Sequence, residues 1–336
     1  MGRLKNDFSD VYKGLGLKEA ISMILLPRIL CRICPDYKLT RCERKAIDNF
    51  IKSNFGKVIT KYQNKVISTK STIPNIIWVF WWQGRKAMPK VIEHCFNSVL
   101  QNANGRQVIL LDDTNYSNYA TLPEHILQKF KLHKISFPHF SDILRLALLK
   151  EHGGLWIDAA TFVTKPIPQY SRVFFSPRVS MELQDSPHMS QWVIGVMGGP
   201  PQMPLFSYMY DILMAYWEKY DGVFHYLMFD YFVRYGYDYI PWIKELISNR
   251  PIESPDFFWT RYNFAKEVNR DILDRILRNN TFISLTYRIE YPTLASTGKE
   301  TYYTALLKKY DIYDNEIQFR GGKSKVFCIN IMHKVA

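Results

Sequence analysis

The chain has 336 residues, of which 47% are hydrophobic, 22% charged and 15% aromatic. That balance excludes a disordered chain, and the length suits one large domain with decorations. The net charge of +13 is uneven, because residues 1–70 hold 15 Lys and Arg against six Asp and Glu, which concentrates there a surface that seeks phosphate on nucleic acid, lipid headgroups or a pyrophosphate-linked substrate.

From the N-terminus, residues 20–34 form an apolar run broken by Pro27 and carrying Arg28 and Arg32. It is too short to span a bilayer and no small-residue cleavage site follows it. The segment suits an interfacial helix whose Ile and Leu enter acyl chains while Arg28, Arg32, Lys38, Arg41, Arg44 and Lys45 meet anionic headgroups. It suits equally a helix packed on the body. Five cysteines, Cys31, Cys34, Cys42, Cys95 and Cys328, are odd in number and too sparse for a disulfide framework, so a reducing compartment is expected. Cys31 and Cys34 form a C-x-x-C without a fourth ligand at zinc spacing.

Residues 1–70 thus read as a basic helical appendage. Ile73-Pro-Asn-Ile-Ile-Trp-Val-Phe-Trp-Trp82 then reads as a fully buried strand closed by Gln83-Gly84, and a helix follows over 89–101. Gln107–Leu111 is a second strand ending in Asp112-Asp113, with a helix over 122–131. This alternation predicts an α/β fold with a mostly parallel sheet covered on both faces. A helix over 141–150, with Ser141 or Asp142 at its cap, ends at Gly153-Gly154; Asp142 and Arg145, three apart, share its face. The strand 155–157 ends in Asp158, and extended chain resumes over 159–163. Ligands of open α/β sheets bind beyond the carboxyl ends of strands, which is where Asp113 and Asp158 fall. Beyond 165, prolines mark loops, and helices are expected over 205–219, 224–235 and 268–278.

Three stretches, IPNIIWVFWWQG (73–84), SDILRLALLKEHGGLWIDAAT (141–161) and QWVIGVMGG (191–199), resemble glycosyltransferase family 32, and within it the bacterial capsular polysaccharide synthesis proteins. The likeness covers roughly residues 70–235. It implies a GT-A fold over 71–336, with a nucleotide-sugar core to about residue 200 and a helical acceptor side beyond. It also implies a UDP-sugar donor, Mn²⁺ or Mg²⁺, and retention of anomeric configuration. A hexose, Gal or Glc, would pass to an undecaprenyl-pyrophosphate-linked oligosaccharide during capsule assembly. The enzyme would be cytoplasmic and peripheral on the inner face of the cell membrane.

Carried over by position, Trp81 matches the aromatic that stacks on uracil, and Asp113 either accepts from the uracil N3–H or caps the following helix. Asp142 and Arg145 match the pair that grips donor hydroxyls and phosphate, since an Arg fork fixes a carboxylate and keeps donors free for other oxygens. Gly153 and Gly154 are expected to bring backbone near the nucleotide. Asp158 matches the first carboxylate of the D-x-D motif and the metal ligand, whereas Ala160 stands where the second carboxylate belongs. Gln191 falls where an amide faces the anomeric carbon, and Asp230 is the later acid for acceptor positioning or base work. Lys299, Lys308 and Lys309 are unassigned cations for the departing diphosphate. Two other classes stay open: a relative that binds a nucleotide sugar without turnover, and a nucleic-acid binder, although no RNA- or DNA-binding motif is present.

Overall fold

The computed structural model describes residues 2–34, 38–67, 71–180, 187, 190–248 and 250–312; Cys328 lies outside them. In chain order the elements begin with α1 (Gly2–Leu15), α2 (Leu17–Ala20), a π-turn (Ile21–Leu25), α3 (Leu26–Ile33) and α4 (Leu39–Tyr62). Next come β1 (Ile76–Phe80), α5 (Lys90–Asn102), β2 (Gln107–Leu111), α6 (Glu124–Lys131), α7 (Phe137–Glu151), β3 (Gly154–Ile157), β4 (Thr161–Val163) and β5 (Val196–Gly199). The rest is α8 (Pro204–Lys219), α9 (Met228–Tyr239), α10 (Pro241–Ile247), α11 (Phe257–Asn263), α12 (Arg270–Asn279), β6 (Phe282–Ser284) and α13 (Tyr302–Lys309).

The central sheet has the order β2-β1-β3-β5, with β1 parallel to β2 and β3, and β5 antiparallel to β3. Both faces are buried because the side chains alternate with a period of two. Ile77, Val79, Leu155 and Ile157 face one hydrophobic cluster, while Trp78, Phe80 and Trp156 face the other. A separate ribbon, β4 with β6, carries a third cluster around Phe162 and Ile283.

One expectation is corrected. The helix that carries Asp142 starts at Phe137, not at 141, with Ser136 in the cap position and Pro138 in its first turn; proline is favoured there because the first N–H groups have no intrahelical partner. Asp142 therefore sits in the second turn rather than at the cap. The N-terminal helices pack on the body, with Ile47, Phe50, Ile51, Phe55 and Tyr62 of α4 buried in the same cluster as α8 and α9. Among the described residues no helix is long and apolar enough to cross a membrane.

Candidate active site

The parallel strands β1 and β3 end side by side, and the cleft of about 300 Å³ opens beyond them. Its wall includes Trp81 and Trp82 after β1, Asp142 and Arg145 from α7, Asp158 and Ala160 after β3, Ile194 before β5, and Asp230 from α9. Tyr226 and Tyr287 complete it from two loops.

Arg145 organises the floor. It is 2% exposed, and its Nη2 donates to Asp158 Oδ1 at 2.8 Å while Nη1 lies 3.1 Å from Asp142 Oδ1. The guanidinium also faces the rings of Trp156 and Phe229, at 5.0 and 5.4 Å from their centroids. Trp156 Nε1 donates to the same Asp158 oxygen at 2.7 Å. Asp230 Oδ1 accepts from Trp192 Nε1 at 2.8 Å, and the carboxyl is buried.

Three acids thus surround one cation. Burial is the main cause that pushes Asp142 up to about 7, opposed by Arg145 and reinforced by Asp158 and Asp230. Burial likewise pushes Asp230 up to about 6, against the Trp192 hydrogen bond and Arg145. Arg145 Nε and Trp81 Nε1 are buried without a hydrogen-bond partner, and Arg145 Nη1, which meets Asp142 as an ion pair, has no aligned hydrogen bond. Leaving a buried N–H unpaired costs on the order of 1–3 kcal/mol, so an oxygen-rich ligand that reaches them recovers that cost.

Asp142, Arg145, Asp158, Trp81 and Asp230 therefore come together, and the other expected site residues do not. Gln191 is outside the cleft wall; its carbonyl is held by the Arg250 guanidinium, and Ile194 is the residue of its segment that reaches the wall. Asp113 is exposed and off the wall, its N–H donating to the Trp82 carbonyl at 3.1 Å. Gly153 and Gly154 lie at the opposite end of β3 from Asp158. They have φ of 66° and 94°, and a Cβ on them would stand 2.6 Å from Pro201 N and 2.8 Å from Ile76 O. Their glycine is required by strand packing and not by a ligand. Lys299, Lys308 and Lys309 form surface ion pairs with Glu267, Glu300 and Asp274, at 2.8, 2.8 and 2.6 Å.

The sequence reading missed the mouth. Tyr287 meets Trp81 edge to face at 5.5 Å, and the guanidinium of Arg288 lies 5.9 Å from the centre of the Tyr287 ring, with Tyr287 and Tyr226 raising its pKa. His139 lines the cleft with Nδ1 2.7 Å from Ser136 Oγ and Nε2 3.3 Å from the Tyr226 carbonyl. Burial lowers its pKa. His139 was legible in principle, three residues before Asp142 on one helix face; Tyr226 and Tyr287 were not, because loops far apart in sequence bring them here.

The donor set bears on the expected cation. The three carboxylates enclose the Arg145 guanidinium rather than an open centre, Asp158 Oδ1 already accepts two hydrogen bonds, and Ala160 brings no oxygen. Among the described residues no three His, Cys, Asp or Glu side chains are set to hold a metal ion. These residues do not fit a resident Mn²⁺ or Mg²⁺.

Comparison with known proteins adds the following. The profile of the family described as capsular polysaccharide synthesis protein matches residues 30–306. A curated relative, the uncharacterized glycosyltransferase L373 of Acanthamoeba polyphaga mimivirus, is 27% identical over 143 residues, 41% of this chain and 54% of that protein. The chain thus spans about half the length of that relative. A solved structure, PaToxG glycosyltransferase, overlaps 60% of this chain and 79% of its own at 16% identity and a TM-score of 0.35.

Proposed function

The chain belongs to the capsular polysaccharide synthesis protein family, and from that premise we propose that it is a retaining glycosyltransferase of GT-A type. It moves a hexose, Gal or Glc, from a UDP-sugar to an undecaprenyl-pyrophosphate-linked oligosaccharide at the cytoplasmic membrane surface. The name of its curated relative supports the reaction class. The observation that carries the reading is the Arg145 cluster: a buried guanidinium held by Asp142 and Asp158, with unpaired N–H donors, beneath an aromatic cleft at the carboxyl ends of parallel strands.

In this mechanism the base stacks on Trp81, an interaction worth on the order of 1–3 kcal/mol. Asp142, as carboxylate, accepts from donor-sugar hydroxyls, and the spare N–H groups of Arg145 reach toward donor oxygens. The bond from the anomeric carbon to the β-phosphate oxygen breaks, and its electron pair leaves with the diphosphate. Arg288, next in the chain to Tyr287 of the cleft wall, is the nearby cation proposed to meet that charge, since Lys299, Lys308 and Lys309 are held in surface ion pairs. The acceptor hydroxyl adds on the face just vacated, and its proton passes to the departing phosphate oxygen. Positive charge developing on the sugar is met by the carboxylate of Asp230, fixed in advance by Trp192. The proposal gives this role to Asp230 rather than to Gln191, because Asp230 lines the cleft and Gln191 does not.

The test is the stereochemistry of the product. Incubation with UDP-Gal or UDP-Glc and a lipid-pyrophosphate acceptor, followed by proton NMR of the new anomeric centre, is expected to give the donor's own α configuration. A β product contradicts retention. Saturable UDP-sugar binding with neither transfer nor donor hydrolysis supports instead a non-catalytic relative, the reading that Ala160 favours.

A further inference from the structure

We infer that the outer face of the N-terminal helices is a docking surface for an anionic lipid bilayer. Leu17, Ile21, Leu26, Ile29, Leu30 and Ile33 are between 37% and 70% exposed, whereas Ala20, Met23 and Pro27 of the same run are buried against the body. The exposed six form one stripe only because of the π-turn over Ile21–Leu25. Leu26, Ile29, Leu30 and Ile33 are spaced to share a helix face, and so are Leu17 and Ile21. Ile21 and Leu26 are five apart, which in an unbroken α-helix would set them about 140° out of line. The π-turn, with its i to i+5 hydrogen bonding, takes up that offset. A backbone irregularity therefore keeps an apolar stripe continuous on the side facing away from the core.

The charges beside the stripe select its occupant. Residues 17–45 hold seven Lys and Arg against three Asp and Glu. Glu43 and Asp7 are engaged by Arg28, at 3.0 and 3.6 Å. Lys18, Arg32, Lys38, Arg41 and Lys45 are exposed. A groove of about 1040 Å³ lies between these helices and α4, with Leu26, Leu30 and Phe50 as apolar lining and Lys18, Arg41 and Lys45 as cations. Apolar side chains rimmed by cations match an interface of acyl chains below anionic phosphate, where each basic residue adds on the order of 1 kcal/mol. A second copy of the chain would set this basic rim against itself.

The surface is mechanically joined to the cleft. Helix α4 packs on α8 and on α9, which carries Asp230, and Phe50 packs on Tyr220 and Phe224 in the segment leading to Tyr226. Docking thus deepens the proposed function by presenting the cleft to a lipid-linked acceptor, although the docking itself stands without it.

The experiment is co-sedimentation of the full chain with vesicles of phosphatidylcholine alone or mixed equally with phosphatidylglycerol, at low and high salt. Binding is expected on the mixed vesicles, at least tenfold weaker on phosphatidylcholine and weakened by salt. Ile29→Glu with Ile33→Glu, both at exposed positions, is expected to lower partitioning at least tenfold while melting temperature and UDP binding stay unchanged. Absence of binding by the natural chain, or full binding by the double variant, overturns the inference. So does a dimer in solution that the double variant dissociates, since the face would then be covered by a second copy. Vesicle binding that persists in a chain that does not bind UDP would instead sink the transferase reading and leave the docking surface standing.

Discussion

Replacing Arg145 with Met tests the electrostatic account of the cleft floor. The substitution keeps an unbranched side chain against Trp156 and Phe229 but removes the cation that lowers both Asp142 and Asp230. Breaking a buried pair by removing one partner typically costs about 3–5 kcal/mol, yet here the acids can escape by staying protonated, so the cost depends on pH. Their native pKa values, about 7 and about 6, lie above the ordinary carboxylate range. Native protein therefore holds more protons than unfolded chain between roughly pH 4 and 7, and its stability falls as pH rises through that window. In the variant both values move higher and the fall continues, by about 1.4 kcal/mol per pH unit for each carboxyl. Urea unfolding should find the variant only slightly destabilised at pH 5 and weaker than the natural protein by about 4 kcal/mol more at pH 8. An equal deficit at both pH values would mean that Arg145 acts through packing, and the argument would fail.

Two further outcomes follow from the same geometry. Because Asp142 and Asp230 act as carboxylates, kcat/KM should rise with pH across about 6 to 7 and level off above, while Asp142→Asn should remove the upper of the two transitions along with most of the activity. Trp81→Ala should raise the Kd for UDP about 10- to 100-fold by calorimetry, whereas Trp81→Phe should recover part of the loss.

The sequence was most legible where burial is two-sided and continuous. Residues 76–80 could be read as a strand because every position is apolar, and α7 because its apolar residues keep helical spacing to Glu151. The strands β5 and β6, with four and three residues, are too short to display a period, and only pairing with β3 and β4 defines them. In the site, Asp142, Arg145 and Asp158 were legible because two of them share a helix turn and the third ends the adjacent strand. Lys299, Lys308 and Lys309 misled because their acidic partners, Glu267, Glu300 and Asp274, are placed by folding and not by spacing along the chain. Gly153-Gly154 misled in another way: a paired glycine beside a site motif resembles a ligand turn, yet its neighbours are backbone atoms of Pro201 and Ile76.

The most direct measurement is titration of the natural protein and of Asp158→Asn with UDP-Gal and UDP-Glc, followed by calorimetry and by transfer in parallel. Asp158 links Arg145 to the cleft at 2.8 Å and its side chain is 41% exposed, so the substitution removes a charge at the surface of the site without emptying a core position. The account predicts saturable binding of at least one UDP-hexose to the natural protein, and loss of transfer with weakened donor binding in the folded variant. No binding of either UDP-hexose, or unaltered transfer by Asp158→Asn, would contradict it.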